Sequence, residues 1–494
     1  MVGPRADLTN SQPNRRPSEA ASDPEGEACP FLQPRLPDQT VSTRLYRSIW
    51  RWHFYAGIVV IPFLIVSALT GMIMLYGNSI ETFLGAKHYV APDGERASLV
   101  EQGEAAISAI PGSSLKLLVN PASSDRASVF IVDADGKNVV VSVDPHGPKV
   151  VHSIVKDNTW FYWANNIHGT LLIGTIGDRI MEIAAGLGIV LVLTGLYMWW
   201  PRNGRTLTRA LVPNFAARGR AAWKELHVSA GFYMAVVLLF FLISGLSWAG
   251  IWGEKITQAW STFPAEKWDN VPLSDKTHAS MNHGALKEVP WAIEQTAMPV
   301  SGSEAGASGV PEGTPVNLDT VAALARTIGF DGQFRINVPQ GEDGVFTISA
   351  DSMDGDTTNA TGDRTVHVDQ YTGKVLAEVG FSDYSLPGKA MAVGIALHQG
   401  NLGPLNTALN LLFCLFILFM CFSGVVMWWK RRPAGQLGAP LYPRDFRAPV
   451  AIMAIAVVVC LIFPLTGLGI ALFALIDFLL PKRLKEAGAQ SVPA

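Results

Sequence analysis

Trp52-His53-Phe54-Tyr55-Ala56-Gly57 opens a long apolar run that ends near Gly77, and Leu226-His227-Val228-Ser229-Ala230-Gly231 opens another. Both read His-x-x-Ala-Gly, and a hydroxyl–glycine pair follows at the same distance, Thr70-Gly71 after His53 and Ser244-Gly245 after His227. Ionisable side chains are rare inside membranes and tend to carry function there. A single interfacial histidine is explained by an amphipathic side chain reaching for water. Its return in register is not, and this makes the histidine a candidate functional centre.

Composition sets the surroundings. Hydrophobic residues make up 49% and charged residues 16%, with positive mean hydropathy, which fits membrane spans joined by polar regions. No broad basic surface or motif points to nucleic acid. Cys29, Cys414, Cys421 and Cys460 form no CxxC, which argues against a disulfide framework or zinc site. Cys414 and Cys421 share a helix face and read as small buried hydrophobes.

Four spans are legible, at 54–77, 180–200, 228–251 and 405–429, each near the ~20 residues that cross a bilayer core. Arg44, Arg47 and Arg51 precede the first. Arg202, Arg205, Arg209, Arg218, Arg220 and Lys224 link the second to the third, and Lys430, Arg431, Arg432, Arg444 and Arg447 follow the fourth. The positive-inside rule assigns all three segments to the cytoplasm, with Trp199-Trp200 and Trp428-Trp429 as an inner aromatic belt.

The expected organisation follows. A disordered cytoplasmic tail without a cleavable signal covers 1–43, and the first membrane segment 44–77 acts as a signal anchor. An external domain occupies 78–165, and 166–202 is an approach plus the second span. A basic cytoplasmic loop covers 203–225, the third span 226–252, and a second external domain 253–390. An approach and the fourth span occupy 391–432, a cytoplasmic loop 433–447, and a last apolar stretch 448–481 precedes the tail 482–494. Pro464 and Gly467 interrupt 448–481, which leaves either a hairpin or one kinked span.

Each external region reads as a helix followed by strands. The first offers a helix at 98–110 and strands at 128–132, 138–143 and 149–154. The second offers a helix at 317–328 and strands at 333–338, 344–349, 364–368 and 374–379. Residues 300–315, rich in Gly, Ser, Pro and Glu, read as a flexible insertion. The turns align: Val143-Asp144-Pro145-His146-Gly147-Pro148-Lys149-Val150 with Val368-Asp369-Gln370-Tyr371-Thr372-Gly373-Lys374-Val375.

The chain thus reads as a tandem duplication of helix, external α+β domain and helix. The closing helices repeat as well. Ile167-His168-Gly169 leads to Gly195-Leu196-Tyr197-Met198-Trp199-Trp200, and Leu397-His398-Gln399 leads to Gly424-Val425-Val426-Met427-Trp428-Trp429. Because both copies start in the cytoplasm, the axis relating them runs along the membrane normal. This pairs His53 with His227 near the inner surface and His168 with His398 near the outer one. Pairing within one copy fails on reach, since the helix from His53 to Gly71 already rises roughly 27 Å. Two converging imidazoles in a helical bundle suit a b-type haem, so two haem b groups are expected, ligated by His53 with His227 and by His168 with His398. Gly57, Gly71, Gly231 and Gly245 give clearance either for a macrocycle or for close helix packing. Asp178, Arg179 and Glu182 open the second span as an interfacial ion pair or a proton or substrate site. His146 and His367, at the turn motifs, read as surface residues. His278 and His283 flank Met281 in a loop that offers a weak metal site.

The Val-Asp-x-Tyr-Thr-Gly-Lys-Val turn at 368–375 resembles the signature of PepSY domains. The His-x-x-Ala-Gly and Gly-x-x-Met-Trp-Trp helices resemble PepSY-associated transmembrane proteins over residues 44–435. The first turn departs from that signature, with Pro145-His146-Gly147-Pro148. The resemblance implies a membrane α-helical bundle with two periplasmic PepSY-like α+β domains in the bacterial inner membrane. It also implies a haem-dependent reductase that releases iron from ferric siderophores in the periplasm. No dinucleotide-binding fingerprint occurs, so electrons are expected from quinol or a cytoplasmic reductase. Two other readings share the pattern: a non-redox periplasmic sensor or regulator, and an iron-chelate transporter. The latter calls for polar residues or broken helices at mid-span, whereas the ionisable residues here cluster at span ends.

Overall fold

A computed structural model describes residues 41–86, 88–202, 206–257, 270–282, 287–433, 437–440 and 449–479. The expected tails over 1–40 and beyond 479, and His283, lie outside the described residues.

Among the described residues, four helices are long and apolar enough to cross a membrane: α1 (Val41–Leu75), and three introduced below as α5, α7 and α10. They match the four expected spans. The 35 residues of α1 make a helix about 52 Å long, so it outruns the hydrocarbon core and its arginine-bearing start projects beyond. A short helix α2 (Gly77–Phe83) follows, then α3 (Leu99–Ala109). Ser98 and Glu101 form a capping box at the start of α3.

Next come β1 (Ser114–Asn120), β2 (Ser128–Ala134), β3 (Lys137–Asp144) and β4 (Lys149–Val155). Helix α4 (Trp160–Thr170) leads into α5 (Gly174–Trp199), α6 (Leu207–Leu211) and α7 (Arg220–Leu246). The second half brings β5 (Leu273–Thr277), β6 (Ala297–Pro299) and α8 (Leu318–Thr327). Strands β7 (Phe334–Asn337), β8 (Val345–Ala350), β9 (Arg364–Asp369) and β10 (Val375–Gly380) follow. Then come α9 (Leu386–Gln399), α10 (Pro404–Arg431), α11 (Val450–Ile462) and α12 (Pro464–Leu479).

The spans close a ring in which α1 touches α5 and α10, and α7 touches the same two, so α1 and α7 lie diagonally. Cys414 and Cys421 are buried on α10 against Ala68 and its neighbours on α1, as small apolar residues would be.

The two external regions were expected as separate domains. Their strands instead join one eight-stranded sheet, ordered β10-β9-β8-β7-β1-β2-β3-β4. The junction is the antiparallel pair β1–β7, with Leu118 opposite Ile336. Strand β1 is the element the sequence reading lacks, and it is the one that joins the halves. Helices α3 and α8 cover one face, burying Phe130, Val141, Phe334, Ile348, Val366 and Val368. The Asp319 carboxylate of α8 accepts from the Leu99 and Val100 amides of α3, which ties the two helices at their starts.

The other face of the second half is covered too, and this corrects the reading of His367. Alternation along β9 points Val366 and Val368 at the helices and His367 away from them. Residues 271–282 and 287–299 lie over that second face, and His367 is fully buried. Its Nδ1 lies 2.9 Å from Thr347 Oγ1 and its Nε2 lies 2.9 Å from His278 Nε2; His278 Nδ1 in turn lies 2.8 Å from the Thr296 carbonyl. Residues 300–315 are not a free insertion either. The Ala307 and Val375 amides and carbonyls exchange hydrogen bonds, and Val310 enters the core, so the segment covers the β10 edge. A Cβ on Gly309 would lie 2.2 Å from the Gly373 carbonyl oxygen, which explains a glycine at this approach.

The C-terminal stretch is two helices, not one. The chain breaks at Phe463–Pro464, and Gly467 comes within contact of Cys460, seven residues earlier, which a continuous helix forbids. Helix α12 then packs on α5, with Thr466 against Gly186 and Gly469 against Ile183.

The buried histidine pair gives a pH signature. Burial lowers His278 to about 4 and His367 well below 6.5. A lowered folded-state value means that stability is complete above pH 6.5 and is lost as pH falls towards 4. For His278 the loss between pH 7.5 and pH 5 is on the order of 2 kcal/mol. Melting curves of wild type and of the His278→Leu/His367→Leu double variant should therefore converge on acidification. Parallel pH dependences would count against it.

Candidate functional site

The four spans and two short helices bring the four repeated histidines to the bundle interior, and each leans on a hydroxyl of a neighbouring helix. His53 of α1 meets α5, with Nδ1 3.0 Å from Thr194 Oγ1 and 3.1 Å from the Leu191 carbonyl. His227 of α7 meets α10, with Nδ1 2.7 Å from Ser423 Oγ. His168 of α4 meets α1, with Nδ1 2.9 Å from Thr70 Oγ1. His398 of α9 meets α7, with Nδ1 2.7 Å from Ser244 Oγ. One relation thus occurs four times.

These hydroxyls are already committed. Thr194 donates to the Val190 carbonyl, Thr70 to Val66 and Ser244 to Phe240, each at 2.7 Å and four residues back; Ser423 donates to Met420 at 3.0 Å. A hydroxyl has one proton. A hydroxyl that keeps its proton on its own helix accepts from the imidazole, which places the hydrogen on Nδ1; at His53 the Leu191 carbonyl, an acceptor only, requires it. This arrangement favours the tautomer that leaves the Nε2 lone pair free. Among the described residues no hydrogen bond reaches Nε2 of these four. A neutral imidazole anchored through Nδ1 is the state in which histidine ligates a metal.

The rings also need room. A Cβ on Gly195 would stand 3.2 Å from His53 Cε1, on Gly245 3.7 Å from His398 Cε1, and on Gly424 3.8 Å from His227 Cε1. Each glycine follows the hydroxyl residue that holds the ring. Gly71 differs, facing Cys414 Sγ at 3.6 Å. Gly57 faces Leu191 and Gly231 faces Met420, so three of the four candidate glycines serve helix packing and only Gly245 borders a histidine.

The His168 and His398 ring centres stand 6.4 Å apart at 82°. His53 lies within electrostatic range of His227. Both outer histidines ride on short helices that end just behind them. Helix α9 stops at Gly400, in the left-handed region. Helix α4 stops at Leu171 and Leu172, both at positive φ, a conformation costly for leucine and held by the α4–α5 corner. A Cβ on Gly177 would collide with the Thr170 carbonyl at that corner.

Asp178, Arg179 and Glu182 form an ion-pair cluster, with Arg179 Nη1 2.7 Å from Asp178 and 3.8 Å from Glu182. Asp178 accepts from the Gly250 amide and Glu182 from the Ile251 amide, so the cluster fastens the start of α5 to the chain leaving α7. Sequence reading noticed Thr70 and Ser244 but missed Thr194 and Ser423, the hydroxyl partners of Gly195 and Gly424. The signal was present, three and four residues before the two Met-Trp-Trp exits.

The family model for the PepSY-associated TM region matches residues 50–431, most of the chain, and the protein belongs to that family. A comparison with curated proteins finds no match.

Removing a hydroxyl tests the tautomer assignment. Ser423→Ala takes away the one hydroxyl recorded on His227 Nδ1 and should cost about 1 kcal/mol, with tautomer exchange visible in the imidazole ¹⁵N resonances of the ligand-free protein. Thr194→Val should disturb His53 less, because the Leu191 carbonyl still accepts. Mixed tautomers in the wild-type rings would contradict the assignment.

Proposed function

We propose that this membrane protein holds two b-type haems, one between His53 and His227 and one between His168 and His398. It would carry electrons across the bacterial inner membrane to a periplasmic acceptor, a ferric siderophore, whose chelated Fe(III) is reduced to Fe(II). The observation that carries this reading is the set of four imidazoles, each held through Nδ1 by a hydroxyl of a neighbouring helix, with His168 and His398 facing each other. Bound haem would be held by an imidazole from each half, and facing imidazoles of neighbouring helices suit that role. The outer rings stand 6.4 Å apart.

Bound haem supplies reversible one-electron transfer at its iron. The chain's own residues do the positioning. The four hydroxyls fix the imidazole tautomer and orientation, and Gly195, Gly245 and Gly424 leave space for the rings. Phe241, 4.7 Å from the His398 ring and stacked on Phe413, helps keep water from the outer pair. Arg431 lies over Trp50 and Phe54, beside His53, and offers a cation for a porphyrin carboxylate.

The polarity of the path follows from charge. Basic residues collect at the ends of α1, α5, α7 and α10 nearest His53 and His227, which favours a cytoplasmic location and a donor role, fed by quinol or a cytoplasmic reductase. The sheet lies at the opposite ends of the spans and would be periplasmic. The fourfold hydroxyl–imidazole relation and the matching strand order of the two halves support a tandem duplication about an axis along the membrane normal.

Visible spectra of the purified protein in detergent, before and after dithionite, test the reading. The expected result is a six-coordinate b-type spectrum with two haems per chain. His53→Ala or His227→Ala should each remove one haem, and His168→Ala or His398→Ala the other. A folded but colourless protein would overturn it.

A further inference from the structure

The link between β8 and β9, residues 351–363, carries Asp351-Ser352-Met353-Asp354-Gly355-Asp356. A carboxylate oxygen from each of Asp351, Asp354 and Asp356 lies within 4.8 Å of one from the others. Three enclosed carboxylates suit calcium, which takes protein oxygens in flexible geometry, better than magnesium, which keeps several of its waters.

The cluster carries surplus charge. Arg335 Nε bonds Asp356 at 2.9 Å and its Nη1 reaches Asp354 at 3.2 Å. Nearby, Lys156 is taken up by Glu288 at 2.6 Å. That leaves three enclosed carboxylates against one guanidinium, and buried charge without a counter-charge is costly. Asp351 is the unanswered one. It is 1% exposed, its Oδ1 accepts from the Asp354 amide, and its Oδ2 is buried with no hydrogen bond from any described residue.

The loop also holds the outer histidine's helix. Asn401, three residues after His398, donates through Nδ2 to the Ser352 and Met353 carbonyls at 2.9 Å each, and Met353 packs with Trp291 and Ile395.

We propose that Asp351, Asp354 and Asp356 bind one hard divalent cation of calcium's size, which fixes the 351–356 loop and through Asn401 the end of α9. The cation completes the oxygen-rich cluster and answers the charge that Arg335 leaves over. The site is independent of the haem reading, because cation binding can be measured whether or not the protein is coloured.

The test titrates calcium into full-length protein in detergent after treatment with EGTA, by calorimetry and by melting. One calcium per chain should bind, raising Tm by on the order of 3 °C at a hundredfold excess over Kd, with magnesium at least tenfold weaker. Asp351→Asn and, separately, Asp354→Asn should each weaken binding more than tenfold and remove the calcium-dependent rise. Calcium should also slow amide exchange over residues 396–401 about tenfold. No heat and no Tm change in the wild type overturns the proposal, as does wild-type affinity in both variants. Unchanged exchange over 396–401 in calcium-saturated protein overturns the fastening role.

Discussion

The arrangement of the bundle depends on one constraint. An imidazole inside an apolar helix bundle must have its Nδ1 satisfied, and here a hydroxyl that has already given its proton to its own helix satisfies it. This settles two things together. It engages Nδ1 and leaves Nε2 unbonded among the described residues, and it fixes which helices are neighbours, since each bond crosses from one helix to another: α1 to α5, α7 to α10, α4 to α1 and α9 to α7. A hydroxyl–glycine pair is the smallest unit that can do this. The hydroxyl accepts the hydrogen bond, and the glycine beside it lets the ring come close.

Outside the bundle a different rule governs. Each half contributes four strands, and β1 and β7 would be exposed edges if the halves stood apart. Pairing them removes both edges. The Asp319 bond to the α3 amides reinforces the same seam from the helical layer. Because the spans of both halves end beneath this one sheet, the outer ends of the bundle are braced by a continuous body. This suits a site that needs two side chains from different halves at a fixed separation.

Much of this was legible because it repeats. The four spans, the two external helices and seven of the eight strands of the large sheet follow from periodicity, and the four histidines from register. What escaped did so for physical reasons. Strand β1 pairs with a strand more than 200 residues away, and nothing local announces that partner. His367 sits where alternation points to solvent, and residues 271–282 and 287–299, irregular in sequence, cover it. Residues 300–315 look like a linker by composition, yet their glycines are what permit close backbone pairing with β10. The carboxylates of 351–356 read as ordinary loop polarity until Arg335 and Asn401 are brought to them.

The two halves are not equivalent, and the difference is local. Between β2 and β3 the first half has the tight turn Asp135-Gly136, both at positive φ. At the corresponding point the second half has residues 351–363, long enough to reach α9. Likewise α9 ends on glycine, while α4 ends on two leucines in the left-handed region. The His398 side of the outer pair is therefore tethered to the sheet through Asn401, and the His168 side is held by backbone geometry at the α4–α5 corner. The two histidines of this pair therefore have unequal supports: the 351–356 loop links the sheet to the end of the helix that carries His398, and backbone conformation alone closes the helix that carries His168.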